Sequence, residues 1–523
     1  MFDLVFRDGY IVDGTGNPWY RGDVAVKDGV IAQVGYVRDE SRTDINVSGL
    51  VISPGFIDTH SHSDLYLIHE PASLMKLMQG ITTEIIAQDG LSEAPIRSDV
   101  VDEWRRYLSG LNGDPPIDWC WRSLEEYLNT IESAMPGVNV ASLVGHGNLR
   151  LLAIGMEDRE PKPSELEQMK NLLAESLQGG AIGLSTGLIY APCVYSRTSE
   201  LVELCKVVSN SDGVFVVHMR DEGDRLLESI EEVLFIGMES SVHVHISHFK
   251  ASGKANWGKS KDAIAMLEDA HRSGVRVSYD QYPYTAGSTF LSSLLPSWVH
   301  EGGVDRLLGR LRDPVIRKRI RGEYASMVDI GRVAGWDKVM VTYVGSVANK
   351  VYEGLYLSEI AERRGLEPID VLLDLIMEEE NMASMANFTM SPEDVESIMR
   401  HHLGMTCTDG LLLGKPHPRA YGAFPRVLGR YVRENKTLRL EEAVRRMTSY
   451  PSRVFHLGDR GLLLPGYVAD IVVFDPDRII DTSTFSDPRR FPEGIRYVVV
   501  SGEVSVRDGV YTGVRNGRVI RSN

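Results

Sequence analysis

Imidazole and carboxylate side chains recur in this chain directly after short apolar runs. His60 and His62 follow VISPGFID, Asp89 follows TTEIIAQ, His218 follows VFVV, His248 follows HVHIS, and Asp409 follows MTCT. His60 and His62 are two positions apart, the spacing at which an extended chain puts both side chains on one face. Neutral imidazole is the commonest protein ligand for a metal, so this pair reads as a grip on one divalent ion. His218 and His248 are single histidines, and each alone has the ordinary alternative of a hydrogen-bonded core residue. It is their occurrence together with His60, His62 and the acids that points to a metal. His243 and His245 lie on the same apolar run, and position at the strand end favours His248 as the ligand. Asp409 beside such an ion can take a proton from water and return it to a departing amine. Its competing reading is a turn residue, since Asp-Gly pairs usually mark turns.

Residues spread over about 350 positions can meet only if a repeating architecture delivers each to the same place. An alternating β/α barrel does so, because every parallel strand ends at one face. Eight strand candidates end at GFIDTHSH, TTEIIAQDG, NVASLVGHG, AIGLSTG, VFVVHMRDEG, VHVHISHFK, VRVSYDQYPY and GMTCTDG. Helical patterns lie between them; in 163–178 Leu166, Met169, Leu173 and Leu177 form one apolar stripe and Gly179-Gly180 a stop. The fold expected is α/β, a (β/α)8 TIM-type barrel over 53–455. A small β domain is expected to be built from both chain termini, 1–52 and 456–523. There LVFRDGYIVDG, DVAVKDGVIAQVG and YVVVSGEVSVRDGVYTG each read as hairpin material around Asp-Gly. A long insertion, about 285–402, follows strand 7. It belongs on the active-site face and reads as a lid or specificity element. Its basic run RLLGRLRDPVIRKRIRGEY suits either acidic substrates or a solvated helix face.

Composition narrows the partners. The 523 residues carry a formal charge of -17 with a pI near 5.4, which works against a nucleic-acid backbone. Four cysteines without CxxC spacing argue against a disulfide framework or zinc knuckle. There is no signal-peptide pattern and no apolar run long enough for a membrane span, so the expected location is cytoplasmic and no membrane partner is expected. Homo-oligomerisation is left open.

The runs SPGFIDTHSHSDL, GITT, GAIGLSTGLIYAP, HMRDEGD, ISHFKASGKANWGKS, YDQYPYTAGST, TDGLLLGKPHPRAYGAFPRVLGRYVRE and MTSYPSRVFHLGDRGLLLPGYVADIVVFDP resemble the N-acyl-D-amino-acid deacylases (D-aminoacylases) of the amidohydrolase superfamily. The resemblance covers nearly the whole chain and weakens around 300–400. It implies hydrolysis of the amide of an N-acyl-D-amino acid, a small molecule, to a carboxylate and a free D-amino acid. It also implies that His60 and His62 hold a more exposed metal position, His218 and His248 a deeper one, and that Asp409 is the catalytic acid and base. Lys250, Tyr282, Ser288 and Arg419 match residues that hold the substrate carboxylate, and Tyr190 matches a tyrosine near the scissile group.

One departure stands out. These deacylases usually carry a metal-binding cysteine where this chain reads AQDG and offers Asp89. Zn2+ is expected first, as one or two ions; because a carboxylate is harder than a thiolate, Mn2+, Fe2+ or Co2+ are also accommodated. Gln88 is assigned a contact behind the ligands. Lys250 also follows a ligand strand, where related enzymes bridge two ions with a carboxylated lysine, but its match to the carboxylate binder makes that the lesser reading. Competing functions are a hydantoinase or dihydropyrimidinase-type cyclic-amide hydrolase, a peptidase-like or xenobiotic amide hydrolase, and a catalytically inactive scaffold barrel, which should have lost these ligands.

Overall fold

The computed structural model describes residues 1–329 and 335–522. Its centre is a ring of eight short strands. They are β1 (Phe56–Asp58), β2 (Ile81–Ile86), β3 (Asn139–Ser142, continued by Val144–Gly145), β4 (Gly183–Gly187), β5 (Val214–His218), β6 (His243–Ile246), β7 (Val277–Gln281) and β8 (Gly404–Thr406). Neighbours pair in parallel from β1 through to β8. A parallel bridge between Ser61 and Gly410 and a 2.9 Å bond from the Asp409 amide to the His60 carbonyl close the ring. Runs such as Val214–His218 are buried at every position, as strands covered on both faces require.

Helices cover the outside. Pro163–Gln178 forms as its pattern predicts and buries Met169, Leu173 and Leu177, while Leu166 is half-buried. Helix Leu226–Ser240 links β5 to β6, and Ser260–Arg272 links β6 to β7.

The seam between β1 and β8 is held by a buried polar cluster. Lys76, wholly buried, donates to Asp58 at 2.6 Å, Ser61 at 2.8 Å and Thr408 at 3.1 Å, and its ammonium lies 3.4 Å from Glu84. Asp58 also accepts from the Thr408 amide at 2.8 Å and hydroxyl at 2.6 Å. The Lys76 ammonium is the cation shared by two buried carboxylates, and its removal would leave both without an opposite charge.

Beside the barrel lies a nine-stranded mixed sheet drawn from both ends of the chain. Val51–Pro54 from the N-terminal part pairs antiparallel with Ile471–Phe474 from the C-terminal part, and Phe6, Ile52, Ile471 and Val499 share its core. Asp28-Gly29 and Asp508-Gly509, all four with positive φ, turn hairpins as their sequence suggests. Asp8-Gly9 does not: the strand Phe2–Ile11 runs straight through it with a register shift. Cross-strand polar pairing explains the difference, for the Asp8 amide bonds the Asp23 carboxylate at 2.9 Å and Arg21 grips the Asp8 carboxylate, so the extra residue is absorbed as a bulge.

The excursion after β7 has its own three-stranded antiparallel sheet, Gly287–Phe290, Val339–Tyr343 and Ser384–Asn387, with helices Gly303–Arg312, Pro314–Asp329, Leu357–Arg364 and Pro368–Glu378. Helix Pro392–Arg400, inside the expected insertion, packs on Ser260–Arg272 and on β8. It is the last crossover of the barrel, so the insertion proper ends just before it. The basic run is a paired helix face. Arg317 meets Asp370 at 3.2 Å and Asp374 at 2.7 Å, and Arg319 meets Glu323 at 2.8 Å. Among the described residues no helix is long and apolar enough to cross a membrane.

Replacing Lys76 by Met leaves Asp58 and Glu84 buried without their cation. The expected loss of unfolding free energy is about 3–5 kcal/mol, read from denaturant unfolding curves; a loss under about 1 kcal/mol would show that the seam does not depend on this lysine.

Candidate metal centre and active site

Strand ends deliver the predicted residues to one place. His60 and His62 leave β1, Asp89 leaves β2, His218 ends β5, His248 follows β6 and Asp409 follows β8. The chain turns sharply there: Asp89, His248 and Asp409 have φ of 58°, 36° and 46°, a left-handed conformation costly for residues with a side chain. Specific bonds hold it. The His248 amide donates to Asp280 Oδ1 at 2.5 Å, and the Ala87 amide, two residues before Asp89, donates to Asp64 Oδ1 at 2.8 Å. Gly187, ending β4, is required by close approach, since a Cβ there would lie 2.5 Å from the Asp89 carbonyl oxygen.

The side chains form two connected groups. His60 Nε2 and His62 Nε2 are 3.2 Å apart, with Asp409 Oδ1 at 3.7 and 3.3 Å from them. His218 Nδ1 and His248 Nε2 are 2.9 Å apart. Asp89 stands between the groups: its Oδ1 lies 3.7, 3.8 and 3.6 Å from His60, His218 and His248, and its Oδ2 3.6 Å from His62. Burial does not rank the two pairs as the resemblance implies. His60 and His62 are 0% and 2% exposed, His218 and His248 5% and 3%.

This set fits a divalent cation. Asp89 Oδ1 is buried and accepts no hydrogen bond, although three ring nitrogens surround it. Tetrahedral zinc bonds of about 2.0–2.2 Å place neighbouring donors about 3.3–3.6 Å apart, close to the spacings found. Burial pulls His60 down to about 3 and His218 to about 4, so both rings are neutral at pH 7, as ligands must be. Burial works against the Asp89 charge too, but the flanking imidazoles outweigh it and hold the carboxyl far below its usual range. Burial likewise opposes ionisation of Asp409; the Arg419 guanidinium, with His60 and His62, keeps it well below the usual range.

The alternatives around β6 are separated by hydrogen bonds. His245 turns to Asp280 Oδ2 and Ser278, both at 2.9 Å, and His243 reaches Ser278 at 2.9 Å. Only His248 reaches the cluster. Gln88 bonds the backbone carbonyls of Thr59 and Ile85 and touches no ligand side chain.

Glu222, four residues after His218 in HMRDEG, carries a role that the sequence did not single out. Its Oε1 lies 3.1 Å from His248 Nδ1 and 2.6 Å from Lys250 Nζ. Glu222 and the Lys250 ammonium, itself 2.7 Å from His248 Nδ1, hold the far side of the His248 ring and leave Nε2 facing the cluster. The only available signal was an acid on the loop after a ligand strand.

The cluster floors a cavity of about 210 Å³. Lys250, Tyr282, Ser288 and Tyr190 line it, together with insertion residues such as Leu294, Met385 and Asn387. Tyr190 donates to or accepts from Thr289 at 2.9 Å, and burial holds its phenol well above its usual pKa, hence protonated. Arg419 is not on the cavity wall. It lies wholly buried behind Asp409, NH1 to Oδ2 at 2.8 Å, stacked over Tyr282 and bonded to the Ser288 carbonyl at 2.9 Å.

A barrel with imidazoles and carboxylates at its strand ends is the architecture of metal-dependent hydrolases. Residues 44–506 match the family model described as "Amidohydrolase family", and the chain belongs to that family. It is 34% identical to a D-aminoacylase of Alcaligenes xylosoxydans xylosoxydans, over 99% of this chain and 97% of that one. It is 35% identical to an N-acyl-D-glutamate deacylase of the same organism, over 99% and 96%. The crystal structure of N-acyl-D-glutamate deacylase from Bordetella bronchiseptica, complexed with zinc and a phosphonate mimic of the tetrahedral intermediate, superposes with a TM-score of 0.85 at 34% identity, covering 99% of both chains.

Asp89→Ala removes the one carboxylate that faces both histidine pairs. Metal affinity should fall by at least about 10-fold, since even contacts behind the ligands are worth that much. Elemental analysis of purified wild type and variant checks this, and equal metal content would remove Asp89 from the ligand set.

Proposed function

We propose that the protein hydrolyses the amide bond of N-acyl-D-amino acids, small molecules, releasing a carboxylate and a free D-amino acid. The observation that carries this reading is a carboxylate, Asp409, set against a candidate cation-binding cluster in a small cavity with a lysine on its wall. Its relatives, named for D-aminoacylase and N-acyl-D-glutamate deacylase activities, support the substrate class and its hand.

His60, His62, Asp89, His218 and His248 would hold the divalent cation, zinc first. When bound, such an ion makes water acidic near neutral pH and polarises a carbonyl oxygen. Asp409, deprotonated and facing His60 and His62, takes the proton of the attacking water. It then delivers that proton to the amide nitrogen as the carbon–nitrogen bond breaks. Tyr190, protonated and on the cavity wall, donates to the oxygen that gains negative charge. Lys250, with Tyr282 and Ser288, anchors the substrate carboxylate. Arg419 was expected to share that task. Its place behind Asp409 instead assigns it to orienting the catalytic carboxylate, with any hold on substrate passing through Ser288 and Tyr282. A cytoplasmic location is consistent with the lack of any membrane-spanning helix among the described residues.

Asp409→Asn keeps the side chain's shape while removing its basicity. With N-acetyl-D-methionine as substrate, kcat should fall at least about 1000-fold with metal content unchanged; wild-type turnover would remove Asp409 from the proton path. Lys250→Met and Arg419→Met should separate anchor from positioning residue. The first should mainly raise KM, by about 10-fold or more, and the second mainly lower kcat, by about 10–100-fold, with KM within a few-fold.

A further inference from the structure

Relatives of equal identity are named for different side chains, so overall similarity does not choose among them; the cavity wall does. Its charged residues are gathered together: the metal cluster with Asp409 and, against it, Lys250, whose ammonium is 2.6 Å from Glu222 and 2.7 Å from His248 Nδ1. All other lining residues among those described are uncharged. The uncharged lining includes Leu111, Ile189, Leu294 and Met385, with Asn387 and Thr389. Arg419, the nearest further cation, is committed to Asp409 and off the wall. The insertion's arginines Arg317 and Arg319 are paired with acids elsewhere.

An N-acyl amino acid offers three groups to such a cavity: the α-carboxylate, the side chain and the acyl chain. Lys250 serves the first. Whichever way the other two lie, each meets an uncharged wall. A carboxylate or ammonium carried there is desolvated with no opposite charge beside it, which costs far more than burying an uncharged group. A further carboxylate also approaches Glu222, Asp409 and Asp89 in one small space, where like charges repel.

Resting on the deacylase reading, we infer that this cavity selects N-acyl amino acids whose only charge is the α-carboxylate. Both side chain and acyl chain are uncharged. Derivatives of glutamate, aspartate and lysine are excluded, and so are dicarboxylic acyl groups such as succinyl.

The test uses pairs that differ in charge and little in size. The metal-loaded enzyme is assayed with N-acetyl-D-glutamine against N-acetyl-D-glutamate, and with N-butyryl-D-methionine against N-succinyl-D-methionine. The expected kcat/KM ratio is at least about 30-fold in favour of the uncharged member of each pair. Ratios near one, or a preference for the charged member, overturn the inference. Calorimetric binding of the same four compounds to Asp409→Asn gives an independent reading of the ranking. If nothing is turned over by wild type but the uncharged members still bind at least 30-fold tighter, the deacylase reading fails while the charge selection stands. If turnover occurs without discrimination, the reverse holds.

Discussion

Everything at the active face depends on the closure of β8 against β1. Asp58 and Thr408 each precede a functional residue by one or two positions, and Lys76 ties them together from a helix after β1. The bond from the Asp409 amide to the His60 carbonyl completes the seam. Asp409 and the first histidine pair are therefore placed by the same buried ion cluster. Such a cluster is costly to assemble and more costly to break, which makes it a precise register mark for a ring whose apolar strands could otherwise slide.

Charge is balanced locally across the site, with one exception. Glu222 has Lys250 and Asp409 has Arg419, each within hydrogen-bonding distance. Among the described residues, Asp89 has imidazoles around it, no lysine or arginine, and one oxygen without a hydrogen bond. A buried carboxylate in that position is stable when a cation completes it. This is also where the chain departs from the cysteine of the deacylases it resembles. The exchange of sulfur for oxygen makes the centre harder while retaining its donor count.

The insertion connects this chemistry to selection. Its sheet carries Ser288 and Thr289 on one strand and Met385 and Asn387 on the next, paired antiparallel, and these roof the cavity over the barrel mouth. Loops at that mouth vary without disturbing the strands beneath, so relatives with one catalytic floor can differ in what they admit. The basic helix that drew notice in the sequence faces acids of its own excursion and takes no part.

The sequence by itself determined the architecture and most of the chemical parts. Buried parallel strands require continuous apolar runs, and a polar residue that ends such a run is visible because it breaks it; that His60, His62, Asp89, His218 and Asp409 lie together at strand ends was legible in this way. Tertiary structure alone decided what depends on partners brought from other strands. Asp280 on β7 turns His245 away and frees His248 for the site. Glu222 became significant only when Lys250 and His248 arrived beside it, and Arg419 lies behind Asp409, off the cavity wall, because Asp409 is within its reach. Asp8-Gly9 bulged instead of turning because Asp23 stood opposite. Local pattern records which face a residue occupies, but the direction of a side chain and the charge it meets are set by neighbours distant in sequence, and those are fixed only when the ring closes.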